Sequence, residues 1–175
     1  SPLAHIDRTC QTCHRQDAET LRQNVYERQQ KVYDFALKVN KELANAHIYA
    51  KFAWDKGATD GQMKDVLALI RQAQWRWDFA VASHGAAFHA PQEIMRILSH
   101  SLDFANQARL KVAKVLARHG YTADVPMPDI STKAKAQAYI GPDMKQKEAD
   151  KEKFLNTVVP QWIKKAKAAG RALDL

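Results

Sequence analysis

The amino-acid sequence predicts an all-α fold, and three observations support this prediction. Apolar residues recur every seven positions along two long stretches, the pattern of helices that pack side by side. The 175 residues include only six glycines and six prolines, which is few for a sheet-rich fold with many turns. No stretch alternates apolar and polar residues as a half-buried strand does. We therefore predict long antiparallel helices without internal repeats, forming one domain or one large piece of a bigger one.

The first segment, residues 1–16, holds the only two cysteines, in the motif Cys10-Gln11-Thr12-Cys13-His14. C-x-x-C-H is the attachment signal of c-type haem. Two thiols three residues apart lie on one face of a helical turn, where each can bond one haem vinyl group. His14 follows directly and can serve as the proximal ligand of the iron. A redox dithiol is typical of a βαβ unit, and no strand pattern occurs here. A zinc site needs four ligands, and the chain has no further cysteine to supply them. We therefore predict covalent haem c.

The second segment, residues 17–120, begins with a helix predicted from about residue 17 to residue 56, with Asp17 as its cap. A helix of about 38 residues would be roughly 57 Å long and needs a long partner, either another helix or another subunit. A neighbouring row of Leu21, Phe35 and Tyr49 is interrupted by Arg28 and Glu42. The uninterrupted apolar rows are Val25, Val32, Val39, Ala46 and Ala53, and Ala36, Leu43 and Ala50.

Two more helices are predicted in this segment, over about 60–84 and 91–119. Thr59 or Asp60 can cap the earlier one. The later one carries a two-row seam suited to pairing with the first helix. Its rows are Ile94, Ser101, Ala108 and Val115, and Leu98, Ala105, Val112 and His119. Trp75 and Trp77 could stack on nucleic-acid bases, but core and interface positions are the favoured interpretation, and we predict no nucleic-acid partner.

Two histidines lie between these helices, where Gly85 and Pro91 break the helical pattern. Pro91 suits the first position of a new helix. A histidine held at such an interruption can point away from both helix axes, which suits an axial haem ligand. The alternative is that His89 or His84 only caps a helix end. We retain His89 as the stronger ligand candidate.

The third segment, residues 121–175, is predicted to be a helical tail. Its irregular start contains Met127, which could be a haem sulfur ligand or a surface methionine. A short helix to about residue 139 and a last helical stretch over 143–170, kinked near Pro160, complete the chain.

The charge balance and the absence of targeting segments limit the possible settings. Twenty-seven Lys and Arg against 19 Asp and Glu give a net charge of +8, which we interpret as solvated helix faces and basic neighbours for haem propionates. No run of 18 apolar residues predicts a membrane span, and no signal peptide is present. Because attachment of c-type haem implies export, we expect a leader to have been cleaved, or the chain to be a fragment of a longer precursor.

Five stretches together resemble the C-terminal part of the pentahaem cytochrome c nitrite reductases. They are C-Q-T-C-H at 10–14, A-Q-W-R-W-D-F at 73–79, A-S-H-G at 82–85, F-H-A-P at 88–91 and R-I-L at 96–98. The resemblance covers nearly the whole chain. It implies a periplasmic multihaem cytochrome that reduces nitrite to ammonium with six electrons. It also implies a homodimer held by long helices and a periplasmic or membrane-anchored cytochrome as electron donor.

The resemblance also implies roles for particular residues. Cys10 and Cys13 would hold the last haem, an electron relay, with His14 as its proximal ligand. His89 would be the distal ligand of a different haem, attached to a preceding C-x-x-C-H that this chain lacks. The distal ligand of the Cys10/Cys13 haem would likewise lie upstream. The family's catalytic haem uses C-x-x-C-K, with a nearby calcium; no C-x-x-C-K occurs here, so we expect no catalytic residue in this segment.

Two other functions remain open at this point. The first is a self-contained monohaem electron-transfer cytochrome with a helical-bundle fold, in which His14 pairs with His89, His84 or Met127 on one iron. The second is a basic helical interaction protein in which C-x-x-C-H is incidental.

Overall fold

The structure, a computed structural model, describes residues 2–171 and contains no strand between them, which confirms the all-α prediction. A short 3₁₀ turn at Pro2–Ala4 comes first. The helices that follow are α1 (Ala18–Asp55), α2 (Asp60–Ala82), α3 (Ala86–His89), α4 (Pro91–Arg118), α5 (Lys133–Ile140) and α6 (Met144–Ala168). Among residues 2–171, no helix has both the length and the apolar character to cross a membrane.

The predicted helix starts are confirmed by their caps. The Asp17 carboxylate accepts a hydrogen bond from the backbone N–H of Thr20 at 2.9 Å, which begins α1. Thr59 and Gln62 form a reciprocal capping box at the start of α2. Pro91 occupies the first turn of α4, where its missing N–H costs nothing. Local sequence signals therefore determine where α1, α2 and α4 begin.

Helix α2 runs antiparallel to α1. The Trp77 Nε1–H donates to the Ala36 carbonyl at 3.2 Å, and His47 lies within 3.4 Å of Gln74. Moving forward along α1 therefore means moving backward along α2, as the tight Gly57 turn between them requires.

Helix α4 is antiparallel to α2 and thus runs in the same direction as α1. The buried Ser101 hydroxyl donates to the Ala73 carbonyl at 2.7 Å, and Lys111 pairs with Asp65 at 3.1 Å. The predicted pairing of α4 with α1 is confirmed, and α4 packs against α2 as well. Helices α1, α2 and α4 therefore form an up-down-up arrangement.

The seven-residue rows form the core of this arrangement. All members of the two uninterrupted α1 rows are buried, none more than 8% exposed. The α4 rows are buried from Ile94 to Val115, and Ser101 among them keeps its hydroxyl satisfied by the α2 carbonyl. His119, the last member of its row, is exposed at the end of the helix. Periodicity therefore identified most of the core.

The structure divides into two compact units on either side of the Met127–Pro128 bond. The loop over 121–127 belongs to the first unit, where Val125 is buried. The second unit contains α5 and α6. Helix α6 continues through Pro160, and its Phe154 and Trp162 rings meet edge to face at 5.4 Å. The kink predicted at Pro160 stays a prediction.

Candidate haem-binding site

The C-x-x-C-H segment winds into successive helical turns. The His14 N–H donates to the Cys10 carbonyl at 2.9 Å, and the Cys13 N–H to the same oxygen at 3.1 Å. The carbonyl of buried Ile6 accepts from the N–H groups of Cys10 and Gln11, both at 2.9 Å. A short hydrogen-bonded turn fixed on one buried residue thus carries both thiols and the imidazole.

A cavity of about 440 Å³ opens beside this turn, within the range of roughly 300–1,000 Å³ that is usual for ligand pockets. Its walls include Cys10, Cys13 and His14 from the motif. Helix α1 supplies Leu21, Asn24, Val25 and Arg28, and α3 supplies Phe88 and His89. All four predicted cofactor-binding residues therefore lie on one cavity.

The cavity walls fit haem c in chemical character. Both thiols are free; Cys13 is exposed and Cys10 half-buried, so each is accessible for a covalent bond. The walls also combine apolar side chains, two imidazoles and one guanidinium, and no acidic side chain lies among the described lining residues. Apolar surface suits a macrocycle, and basic groups suit its two propionates.

His89 is carried by α3, a single helical turn that the sequence patterns did not predict. Ala86 and Ala87 of this turn pack against the buried cluster that includes Val32, Ala36 and Leu98. The breaks predicted at Gly85 and Pro91 are present, and one short turn fits between them. The core shared by α1, α2 and α4 therefore supports the His89 segment.

Two contacts near His89 were also not predicted. The Phe88 ring lies 4.5 Å from the His89 ring, centroid to centroid. The Arg28 Nη1 donates to the Phe88 carbonyl at 2.9 Å, across 60 residues of sequence. The available signal was that Arg28 interrupts the row of Leu21, Phe35 and Tyr49 on α1, as Glu42 also does.

The other candidate ligands lie elsewhere. Among the described residues, His84 and Met127 do not line the cavity, and both are exposed. His119 lies 3.1 Å from Gln62 at the far end of α4. The structure therefore brings together His14 and His89 and leaves out the alternatives that the monohaem hypothesis considered.

The shared cavity is compatible with two assignments. His14 and His89 could bind one iron from opposite sides, as in a monohaem cytochrome. Alternatively, a haem on His14 could lie beside an iron that His89 binds, as the family resemblance implies.

No group of three or more His, Cys, Asp and Glu side chains within residues 2–171 is arranged to hold a metal ion. The haem motif is therefore the metal-related feature that the described residues offer, and the calcium of the resemblance stays a prediction about other residues.

Comparison with known proteins agrees with the geometry. Residues 1–171 match the family model described as Cytochrome c552. A cytochrome c-552 of Bacteroides thetaiotaomicron is 74% identical over 171 residues, which cover 98% of this chain and 35% of the relative. A cytochrome c-552 of Bacteroides fragilis is 68% identical, over 100% of this chain and 36% of the relative. One from Porphyromonas gingivalis is 64% identical, over 97% and 34% respectively. The chain thus spans about a third of the length of the curated relatives it matches.

Proposed function

This chain belongs to the cytochrome c552 family, and from that premise we propose that it is the C-terminal part of a periplasmic, multihaem, ammonia-forming nitrite reductase. Its own task is to carry one electron-relay haem c, to bind the iron of a neighbouring haem and to contribute to a dimer. Haem binding is supported by the single cavity lined by Cys10, Cys13, His14 and His89. The observation that favours a multihaem enzyme over a monohaem protein is that the chain spans only about a third of its relatives.

The motif residues have distinct chemical tasks. Cys10 and Cys13 would hold haem c through two thioether bonds, one from each thiol to a vinyl group. His14, on the same turn, would donate a ring-nitrogen lone pair to iron, and its position next to Cys13 limits how far the imidazole can move. Bound haem supplies an iron that accepts and passes on one electron at a time. An iron with two protein ligands has no open position for nitrite, which is why we assign relay rather than catalysis to this segment.

The catalytic haem, the calcium and the remaining haems belong, in this proposal, to the upstream part of the same enzyme. The chain spans about a third of its relatives, so there is room in them for further haem motifs. Electrons would arrive from a periplasmic or membrane-anchored cytochrome. The net reaction requires six electrons for each nitrite, which a series of one-electron relays can deliver.

Exposed aromatic and apolar side chains on the long helices support the proposed homodimer. Tyr26, Tyr33 and Leu37 recur at helical spacing along the exposed side of α1, each about half exposed. Trp75 is 64% exposed on α2 and stacks on Phe79, with 5.7 Å between ring centroids. Large apolar side chains exposed to water in this number are what a protein interface would cover.

A second candidate function is a monohaem electron-transfer cytochrome. The observation that favours it is that His14 and His89 line one cavity, as two ligands of a single iron would.

Counting haems and replacing His89 distinguishes these functions. Intact mass of the protein matured from its native coding sequence should show several covalent haems. His89→Ala should convert one low-spin haem to high spin with no covalent haem lost. His84→Ala is the matched control, since His84 is an exposed histidine off the cavity wall, and it should leave every spectrum unchanged.

The decisive comparison combines the haem count with the His89 variant of the protein matured from its native coding sequence. Under the proposal, His89→Ala changes the spectrum of one haem among several, because His89 binds a neighbouring iron. A single covalent haem that changes from low spin to high spin in His89→Ala would support the monohaem cytochrome instead. A mature protein without a Soret band would contradict both haem functions.

A further inference from the structure

The carbonyl of Phe88 has no partner within its own short helix. The last four carbonyls of any helix lack intrahelical donors, and α3 has only four residues. Residue 91, one of the next possible donors along the chain, is a proline and has no N–H. A carbonyl at this point needs a donor from another part of the molecule, or water.

Arg28 supplies that donor from α1. Its Nη1 lies 2.9 Å from the Phe88 oxygen. The same side chain and His89 both line the cavity beside the haem motif. Arg28 occupies an interruption in the row of Leu21 and Phe35, where an apolar residue would continue the pattern. This position keeps the guanidinium on the side of α1 that faces α3.

We propose that Arg28 is a positioning residue that fixes the direction of His89; this inference rests on the proposed function of His89 as an iron ligand. The Phe88 carbonyl and the backbone nitrogen and Cα of His89 belong to one planar peptide unit. Holding the oxygen therefore limits rotation of the whole plane, and with it the direction in which the His89 side chain leaves the backbone. The packing of Ala86 and Ala87 fixes the other side of the turn.

Arg28 also brings a permanent positive charge to the cavity wall, because a guanidinium does not lose its proton in proteins. A hydrogen bond from a charged donor is stronger than one between neutral groups. The same contact therefore restrains the His89 turn and places a cation beside the haem site.

The test compares variants of the haem-loaded protein, with carbon monoxide as probe. Carbon monoxide binds a ferrous bis-histidine iron only when one imidazole leaves, so the bound fraction of the haem that His89 ligates reports how firmly His89 is held. At a fixed carbon monoxide concentration, Arg28→Ala should raise the ratio of carbon-monoxide-bound to unbound haem about tenfold. This is the size of effect expected for losing one charge-assisted hydrogen bond. Arg28→Lys keeps N–H donors and a charge, so its ratio should lie between those of wild type and Arg28→Ala.

Two controls separate the possible results. Arg22→Ala removes another α1 arginine, whose partner Glu19 lies on the same helix at 2.6 Å, and it should leave carbon monoxide binding unchanged. His89→Ala should give full binding at this haem. Equal ratios for Arg28→Ala and Arg22→Ala, with His89→Ala fully bound, would overturn the role of Arg28 and leave the ligand assignment intact. A His89→Ala protein that binds no more than wild type would instead refute the proposed function, and the positioning role with it. A ratio for Arg28→Lys above that of Arg28→Ala would also overturn the inference.

Discussion

Replacing Leu98 with alanine tests whether the core beneath the His89 turn stabilises the protein as the structure indicates. Leu98 is 0% exposed and belongs to the cluster of Val39 and Ile94 against which Ala86 packs. The substitution removes three carbon atoms, at about 0.8 kcal/mol each, or roughly 2.4 kcal/mol in lost burial. The remaining cavity adds to this, so the expected loss in the free energy of unfolding is about 3–4 kcal/mol.

Urea denaturation followed by far-UV circular dichroism measures this loss, with Leu110→Ala as the matched control. Leu110 lies on the same helix and is 66% exposed, so the same chemical change should alter the unfolding free energy by no more than about 0.5 kcal/mol. The slope of the unfolding free energy against urea should stay constant in both variants. A difference between the two variants below about 1 kcal/mol would refute the assignment of Leu98 to a close-packed core.

Two further predictions concern charged groups. Glu42→Gln breaks the half-buried ion pair with Arg109 of α4 and should lower the unfolding free energy by about 1–2 kcal/mol. The control Glu19→Gln removes one partner of an exposed pair and should have almost no effect. Equal losses in the two variants, measured by urea denaturation, would contradict the argument that burial strengthens the Glu42–Arg109 pair. The hydrogen bond from Lys135 lowers the pKa of Asp129 to about 2. The contact between the Asp129 carboxylate and Lys135 therefore stabilises the start of α5 fully above pH ~4, and this stabilisation is lost as the pH falls towards 2. Carboxyl resonances in NMR should titrate with a midpoint near 2, and a midpoint near 4 would disprove the contact.

The helices and most of the core were predictable because their causes are local. The rows from Val25 to Ala53 and from Ile94 to Val115 mark one face each, and burial follows that face closely. Caps such as Thr59 and the proline at position 91 act within one turn of the residues they affect. The C-x-x-C-H motif is likewise local, since five consecutive residues contain the whole signal.

What could not be predicted depends on residues far apart in sequence. Arg28 and Glu42 were visible as breaks in an apolar row, but their partners lie 60 and 67 residues away, at Phe88 and Arg109. A polar residue that interrupts an apolar row does not by itself indicate which distant residue it contacts. The one-turn helix α3 escaped prediction for a related reason: four residues are too few for a periodic pattern, and packing on the α1–α4 core supports the turn.

Helix α1 begins at Ala18, ten residues before Arg28 contacts the His89 turn, so it extends about 15 Å past that contact towards the motif. The length of this part of α1 therefore sets the distance between the haem motif, with His14, and the His89 turn. Inserting seven residues into it would move the C-x-x-C-H turn about 10 Å farther from His89 while every apolar row kept its face, because seven residues make almost two whole turns. Inserting three or four would lengthen it by one turn and rotate the motif around the helix axis. A change of about two turns in the spacing between the haem motif and His89 therefore keeps the apolar rows aligned, whereas a change of one turn does not.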